Sequence, residues 1–317
     1  MKKLILSAAI AVVAATSVNA ATVYDAKGLK YDIKGDWQIQ LRQKAGDGNK
    51  ADVEFDDLEI KNRITYDLQD GMSAFGQLDF GFKDAAEGEQ SGDKLEEAYL
   101  GLKYNNVSVS IGKQNFAVDS FGIEEAYESI AKPIKDDAFD KTETSGNDVV
   151  RMDVVMDNLT FIVSTEISAD GASSSTDGEG FDMLVATEVA GVKMAAAYQD
   201  YSDFSDDFTV WGLSASYDLG MATIAADYSV QEDQDNNEYK LINVATTFKV
   251  AATTKMAIGL VSVKETAASV DTDTFGWYTN VTYKFPAQKN VRLFAEIGDT
   301  DGDNVDLGYL AGIRLKF

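Results

Sequence analysis

The feature that most constrains this chain is an alternation of apolar and polar side chains that returns in many separate segments. In the segment 31–41, the apolar parity includes Tyr31 and Trp37. The other parity includes Asp32 and Gln38. Successive side chains of a strand point to opposite faces, so a period of two predicts strands with one apolar and one polar face. The chain is therefore predicted to be all-β.

Sixteen segments carry this alternation, and most of them are eight to thirteen residues long. A tilted strand of about ten residues spans the hydrocarbon core of a membrane. Backbone groups find no water there, so strands that cross a membrane must close into a barrel. We therefore predict a transmembrane antiparallel β-barrel of 16 strands, with the apolar parity facing lipid and the polar parity facing a lumen. The segments are 31–41, 58–68, 72–83, 95–104, 107–113, 149–156, 159–167, 180–189, 192–201, 208–219, 221–231, 238–250, 255–264, 274–285, 290–298 and 305–317.

Short and long connections alternate between the predicted strands. Short connections such as 69–71 and 105–106 are rich in Asn, Asp and Gly, which favour tight hairpins. The long connections are polar and mostly acidic. In an outer-membrane barrel with an even number of strands, both termini and the short turns face the periplasm. A soluble sandwich or solenoid is the alternative, but sixteen one-sided strands would give it a very large polar inner face.

The N-terminus has the form of a secretory signal peptide. It begins with the basic sequence Met-Lys-Lys, continues with an apolar run and ends with small residues at 18–20. The apolar run is too short to cross a membrane as a helix. We expect cleavage after Ala20, which leaves a signal peptide, 1–20, and one barrel domain, 21–317.

Composition argues against most catalytic and metal chemistry. The chain has no His and no Cys, which excludes a Ser–His triad, a thiolate nucleophile and metal sites built from these residues. The net charge is −25, whereas nucleic-acid binding needs a basic face. We therefore predict no enzymatic activity, no cofactor, no metal site and no nucleic-acid partner.

Several stretches resemble the Gram-negative general porins, which are trimeric sixteen-stranded channels of the outer membrane. The start of the mature chain, 23–35, is similar to the porin start, with a Tyr and spaced glycines around the first strand. Residues 95–102 and 111–114 resemble the fourth and fifth strands of the family, and 308–317 has the form of its last strand. The resemblance implies a homotrimer, and it implies that Phe317 is read by the outer-membrane assembly machinery. Small residues on the lipid parity, Ala74, Gly76 and Ala98, are compatible with close packing between barrels.

The resemblance also implies that the longest connection, 115–148, folds into the barrel and narrows it. Its Phe121-Gly122 pair is similar to part of the Pro-Glu-Phe-Gly loop of enterobacterial porins, although the preceding Pro-Glu is absent. In that family an acidic loop faces a basic wall, and opposed charges produce a transverse field that polar solutes tolerate. The candidate loop acids are Asp119, Glu124, Glu125 and Glu128. The candidate wall bases, on the lumen parity, are Lys34, Arg42, Lys61, Arg63 and Arg151.

The expected function is passive diffusion of ions and small hydrophilic solutes. Fixed negative charge raises the local concentration of cations, so we predict a preference for cations. The alternative for the acids on the outer loops is to bridge lipopolysaccharide through divalent ions instead. A sugar-selective channel is one alternative, but it needs an aromatic track, and lumen-parity aromatics are few: Phe75, Tyr99, Tyr278 and Phe294. An adhesin or a purely structural barrel is the other alternative.

Overall fold

The computed structural model describes residues 21–46, 48–86, 94–128, 137–167, 178–202, 206–268, 270–301 and 306–317. The predicted signal peptide, 1–20, lies outside these residues. Among the described residues, no helix is long and apolar enough to cross a membrane.

The described residues form seventeen strands, one helical turn and two short 3₁₀ turns. The helical turn, α1, is Lys83–Ala86, and the 3₁₀ turns are Val118–Ser120 and Ala138–Lys141. The strands are β1 Ala21–Ala26, β2 Leu29–Gln43, β3 Asp52–Gln69, β4 Met72–Gly81, β5 Lys94–Tyr104, β6 Val107–Asn115, β7 Ser145–Val155, β8 Leu159–Glu166, β9 Glu179–Val189, β10 Val192–Ser202, β11 Asp207–Asp218, β12 Ala222–Asp233, β13 Glu238–Ala251, β14 Thr254–Ala267, β15 Val270–Lys284, β16 Val291–Thr300 and β17 Gly308–Lys316.

The strands β2 to β17 form a closed antiparallel ring. Each of them pairs with the next strand along the chain, and β17 pairs with β2. The prediction of an all-β, sixteen-stranded antiparallel barrel is confirmed. Several strands are longer than predicted, for example β3, which begins at Asp52 and thus before the predicted segment 58–68.

The extra strand, β1, completes the barrel wall at its seam. The C-terminal strand β17 pairs with residues 36–43 of β2, and Phe317 exchanges two backbone hydrogen bonds with Gly35, of 2.8 and 3.0 Å. The strand β1 pairs with residues 29–33, at the N-terminal end of β2, where Ala21 stands opposite Ile33. All six side chains of β1 are exposed, so no buried face imposes the alternation that marks the other strands.

The alternation places apolar side chains outside and polar side chains inside. On β2, Trp37 is 41% exposed, whereas its neighbour Gln38 is completely buried. Opposite Trp37 on the adjoining strand stands Leu315, which is also exposed. Because the sheet is closed, the exposed apolar side chains lie on its outer surface. The predicted assignment of the two parities therefore holds on this part of the wall.

The tight connections use the backbone conformations that their sequences favour. In the β3–β4 hairpin, Asp70 has φ +52° and Gly71 has φ +78°. These are the angles of the hairpin turns whose twist matches that of the flanking strands. The next hairpin, β5–β6, uses Asn105 in the same region, with φ +52°. The predicted role of Asn, Asp and Gly at this end of the barrel is thus seen in the backbone.

Candidate functional site

The segment that follows β6 begins by attaching to side chains of β8 and β9. The backbone N–H of Ala117 donates to Ser164 Oγ at 2.9 Å and to Asp182 Oδ1 at 3.3 Å. The backbone N–H of Val118 donates to the other carboxylate oxygen of Asp182 at 3.4 Å. A carboxylate that accepts backbone donors forms charge-assisted hydrogen bonds, which are stronger than neutral ones. Asp182 therefore fixes the start of the segment.

The same segment then reaches strands on another side of the barrel. The N–H of Ile123 donates to Asp227 Oδ2 on β12 at 3.2 Å. The N–H of Glu125 donates to the Tyr278 hydroxyl on β15 at 2.9 Å. Residues 117–125 thus pass from β8 to β15 while their backbone donors are satisfied by wall side chains.

The attachment ends on β16. The N–H of Tyr127 donates to Glu296 Oε2 at 2.8 Å, and the N–H of Glu128 donates to its Oε1 at 3.4 Å. The Tyr127 ring stacks on Phe294, with 4.1 Å between ring centroids. Asn280 donates to the same Glu296 carboxylate at 2.9 Å. The wall strands thus supply both the acceptors and the apolar surface that hold this part of the segment.

An apolar cluster joins the segment to the wall. Phe121 packs edge-on against Phe139, with ring centroids 5.1 Å apart. A Cβ added to Gly212 on β11 would stand 2.5 Å from the Phe121 ring, so only glycine fits beneath it. The wall contributes completely buried apolar side chains from the parity that was predicted to be polar: Val149, Ile162, Leu184, Ala186, Val210, Leu241 and Val261. The inner parity of β7–β14 therefore carries apolar residues as well as polar ones, and the segment covers them.

Two of the four candidate acids form ion pairs. Glu125 Oε2 lies 2.5 Å from Lys255 Nζ on β14. Burial raises the pKa of Glu125, and the Lys255 ammonium opposes that shift. Glu128 Oε2 lies 3.3 Å from Arg42 Nη1, which also contacts Glu54 at 3.0 Å. Arg42 and Glu128 are thus a predicted base and a predicted acid that the fold brings into direct contact.

The other two acids have different surroundings. Asp119 is exposed and accepts a hydrogen bond from the Asn115 amide at 2.8 Å. The bases whose charges act on it are Arg151 and Lys61, both of which belong to the predicted wall. The charge of another acid, Asp140, also acts on Asp119, so this carboxylate lies among charges of both signs.

Glu124 lies beside other acids. A Cβ at Gly122, whose φ is +105°, would stand 2.4 Å from Glu124 Oε2 and 3.1 Å from Asp137 Oδ2, so both carboxylates converge on this glycine. Burial raises the pKa of Asp137 well above its ordinary value, and the charges of Asp140, Glu124 and Asp227 raise it further. Repulsion among these groups keeps the Asp137 carboxyl neutral far more readily than an exposed one.

Three of the five candidate bases form one patch on β2 and β3. Arg63 donates to Gln77 Oε1 at 3.0 Å and lies over the Phe75 ring, 4.6 Å from its centroid. Lys61 forms ion pairs with Glu59 and Asp79. The positive charges of Arg63 and Lys61 both act on Lys34.

Arg151, the fifth candidate base, is held by groups of the protein at the root of the segment. It is 6% exposed, and its Nη1 donates to the backbone carbonyls of Asn115 and Phe116 at 2.9 and 3.0 Å. Its other nitrogens bind Asp153. Arg151 therefore anchors the root of the segment, and most of its donors are not available to a passing solute.

A second group of bases, on the last strands and on β14, lies outside the predicted wall residues. On β15, β16 and β17 the sequence places Lys284, Arg292, Arg314 and Lys316 on the inner parity, together with Lys255 on β14. The parity rule that selected Lys61 and Arg63 could have found these bases, had it been applied to the C-terminal strands. The sequence analysis took its candidate bases from β2, β3 and β7 alone.

Three carboxylates could hold a cation. Oxygen atoms of Glu59, Asp79 and Glu96 lie within 4.8 Å of one another. Hard divalent cations prefer such oxygen ligands. The Lys61 ammonium already pairs with two of these acids, so it supplies positive charge to the cluster.

A closed antiparallel barrel with an apolar outer surface and a largely polar inner surface is a membrane-spanning β-barrel. The model of a family described as Gram-negative porin matches residues 7–305. The chain therefore belongs to the Gram-negative porin family and is a protein of the outer membrane.

Relatives of known name agree with this family. Porin-like protein H of Photobacterium profundum is 25% identical over 345 residues, covering 100% of each chain. A monosaccharide porin of Halomonas sp is 28% identical over 251 residues, covering 75% of this chain and 61% of its own. OmpT of Vibrio cholerae, solved in a trimer form, has 18% sequence identity and a TM-score of 0.77, covering 92% of this chain and 100% of its own.

Proposed function

We propose that this protein is a general diffusion channel, through which ions and small hydrophilic solutes cross the outer membrane passively. The observation that carries this proposal is the attachment of residues 117–128 to the inner-parity side chains of Asp182, Asp227 and Glu296. A segment held in this way folds into the barrel and narrows its lumen without filling it. Selectivity then depends on the charges at the narrow part.

The remaining opening is bounded by charges of both signs. We propose that Asp119 on the segment and the patch of Lys34, Lys61 and Arg63 on the wall face each other across it. Support comes from the charge of Lys61, which acts on Asp119. The contact between Arg42 and Glu128 closes one margin of this opening. A transverse field of this kind admits polar solutes and disfavours apolar ones.

The mature protein is proposed to be one barrel domain, 21–317, released from a signal peptide, 1–20, and assembled as a homotrimer. The OmpT relative is known in a trimer form. The outer face of β4 carries the small residues Ala74 and Gly76, which permit close packing between barrels. The outer apolar face contacts lipid, and acids of the long loops bridge lipopolysaccharide through divalent ions. The absence of enzymatic activity stays a prediction.

The test of the diffusion function is liposome swelling with sugars of graded size. We expect swelling rates to fall smoothly with the size of the sugar and to be equal for stereoisomers, because a wet constriction sorts solutes by size. The name of the Halomonas relative supports a sugar channel as the second candidate. Swelling with only one stereoisomer would favour that candidate, and no swelling would contradict both and favour an adhesin or a structural barrel.

A preference for cations is proposed from the net charge of −25 and from the acids on the inner segment. We expect the reversal potential in a KCl gradient to have the sign of cation selectivity. Replacing the four loop acids by amides, D119N/E124Q/E125Q/E128Q, should move it clearly toward zero, because fixed negative charge then leaves the narrow part.

A matched control is the quadruple variant D52N/D67N/D70N/D218N, which removes the same charge from strand ends and turns. It should leave the reversal potential nearly unchanged. Anion selectivity of the unmodified protein, or an equal shift in both variants, would contradict the proposal.

A further inference from the structure

The inner surface at the short-turn end of β15, β16 and β17 carries a row of bases. Lys284 on β15 stands opposite Arg292 on β16, and Arg292 stands opposite Arg314 on β17. Their strand neighbours Tyr283, Leu293 and Ile313 are exposed on the outer surface, so the bases belong to the inner one. Side chains that are directly opposite on one face of a sheet lie close enough to interact.

Acids near this row, Asp36 and Asp57, already form ion pairs with Arg314 or Lys316. Arg314 binds Asp36 through two nitrogens, at 2.7 and 2.6 Å, and contacts Asp57 at 2.6 Å. Lys316 also pairs with Asp36. Arg314 and Lys316 are therefore compensated by carboxylates of β2 and β3.

Lys284 and Arg292 lack comparable compensation. The largest charge effects on Lys284 come from four positive groups, Arg292, Lys255, Lys289 and Lys316. Among the described residues, the buried Nε of Arg292 has no hydrogen-bond partner. The guanidinium of Arg292 interacts with the Tyr127 hydroxyl, and a nearby acid, Asp36, is shared with Arg314 and Lys316.

We propose that Lys284 and Arg292 form a binding site for the oxyanion group, carboxylate or phosphate, of a small solute that passes through the channel. A guanidinium presents paired donors that match such a group, and an ammonium adds a mobile point charge. Two adjacent bases that form no ion pair with a carboxylate among the described residues produce a local positive potential, which an oxyanion neutralises at little desolvation cost beside an aqueous lumen.

Tyr127 connects the proposed site with the segment that narrows the channel. This residue is part of the inner segment, its hydroxyl contacts Thr282 on β15, and its ring stacks on Phe294 on β16. A solute that leaves the constriction on this side therefore meets Arg292 next. The inference rests on the proposed diffusion function. It adds that the channel binds solutes with a carboxylate or phosphate group while they pass through.

Inorganic phosphate is the simplest probe. Single-channel currents of the full protein are recorded in KCl at constant ionic strength while phosphate replaces part of the chloride. We expect a saturable decrease in conductance or brief blockades in the unmodified protein. In K284Q/R292Q the phosphate concentration for half-block should rise at least about tenfold, since two charge-assisted contacts are lost. The conservative variant K284R should retain the block.

The matched control is K103Q/K193Q, which removes two inner-parity bases from the same end of the barrel, on β5 and β10. It should keep the phosphate block of the unmodified protein. An equal loss of block in both double variants, or no block in a conducting unmodified channel, would overturn the site while leaving the diffusion function intact. A protein that forms no conducting pores in KCl would instead refute the diffusion function itself.

Discussion

Replacing residues 117–143 by an Asn-Gly turn is expected to raise the single-channel conductance several-fold and to remove most of its ion selectivity. The ends of this segment are already joined, because the Phe116 N–H donates to the Thr144 carbonyl at 2.8 Å. Asn-Gly is the dipeptide that tight hairpins favour, so β6 and β7 can be connected without disturbing the ladder. The lumen then keeps the width of an open sixteen-stranded barrel, and the loop acids are gone. Planar-bilayer recording measures both quantities.

The same variant should unfold at a lower temperature. It loses the buried side chains of Phe121, Ile123 and Phe139, and it exposes Leu184 and Leu241 to the lumen. Burial of one such side chain stabilises a protein by about 1.5–3 kcal/mol. Circular dichroism during heating in detergent measures the loss.

The control shortens a different connection at the same end of the barrel. Residues 234–237, between β12 and β13, are replaced by the same Asn-Gly turn. We expect conductance, selectivity and unfolding temperature to stay close to those of the unmodified protein. If the variant that lacks 117–143 conducts like this control, the segment does not narrow the channel.

Replacing Phe317 by Ala is expected to reduce the amount of protein in the outer membrane by about an order of magnitude or more. The residue has two proposed roles, as the signal read during assembly and as part of the barrel seam. Its ring packs edge-on against Trp37 at 5.3 Å and covers Gly35, where an added Cβ would stand 2.2 Å from the ring. Removal of a buried aromatic ring costs about 3–5 kcal/mol, and less where the ring is partly exposed. Outer-membrane fractionation measures the level.

Refolding in detergent separates the two roles, because no assembly machinery is present there. We expect Phe317→Ala to refold with a modest loss of stability, and Phe317→Tyr to behave like the unmodified protein in both assays. The variant Trp37→Ala removes the ring contact and keeps the terminal Phe. Normal membrane levels of Phe317→Ala would refute the assembly role, and equal losses for Trp37→Ala would assign the effect to the seam.

The barrel was predictable because each strand shows its two faces in its own short stretch of sequence. Each strand from β2 onward separates lipid from a polar interior, so its residues alternate, and the alternation counts the strands directly. The strand β1 could not be found in this way, since all of its side chains are exposed. The early start of β3 was missed for a related reason, because Asp52 to Asp57 include four acids on both parities.

The site was predictable only in part, because its contacts are non-local. The family resemblance pointed to the acids of the segment and to a basic wall, and Arg42 and Glu128 do meet. The partner of Glu125 is Lys255, which lies 130 residues further along the chain, and no short-range pattern links the two. The buried Leu184 and Leu241 look like defects in a polar parity until the covering segment is known.

The seam between β17 and β2 has a consequence for how the molecule acquires its shape. The hydrogen bond between Arg314 and Asp36 joins positions 278 residues apart, and the pairing of these two strands closes the ring. Closing so long a loop costs chain entropy before the contact can offset it, which makes folding slow. Before this pairing forms, β2 and β17 expose unpaired backbone groups to any neighbouring chain. The pairing of β17 with β2 therefore removes the last two edges at which another chain could add to the sheet.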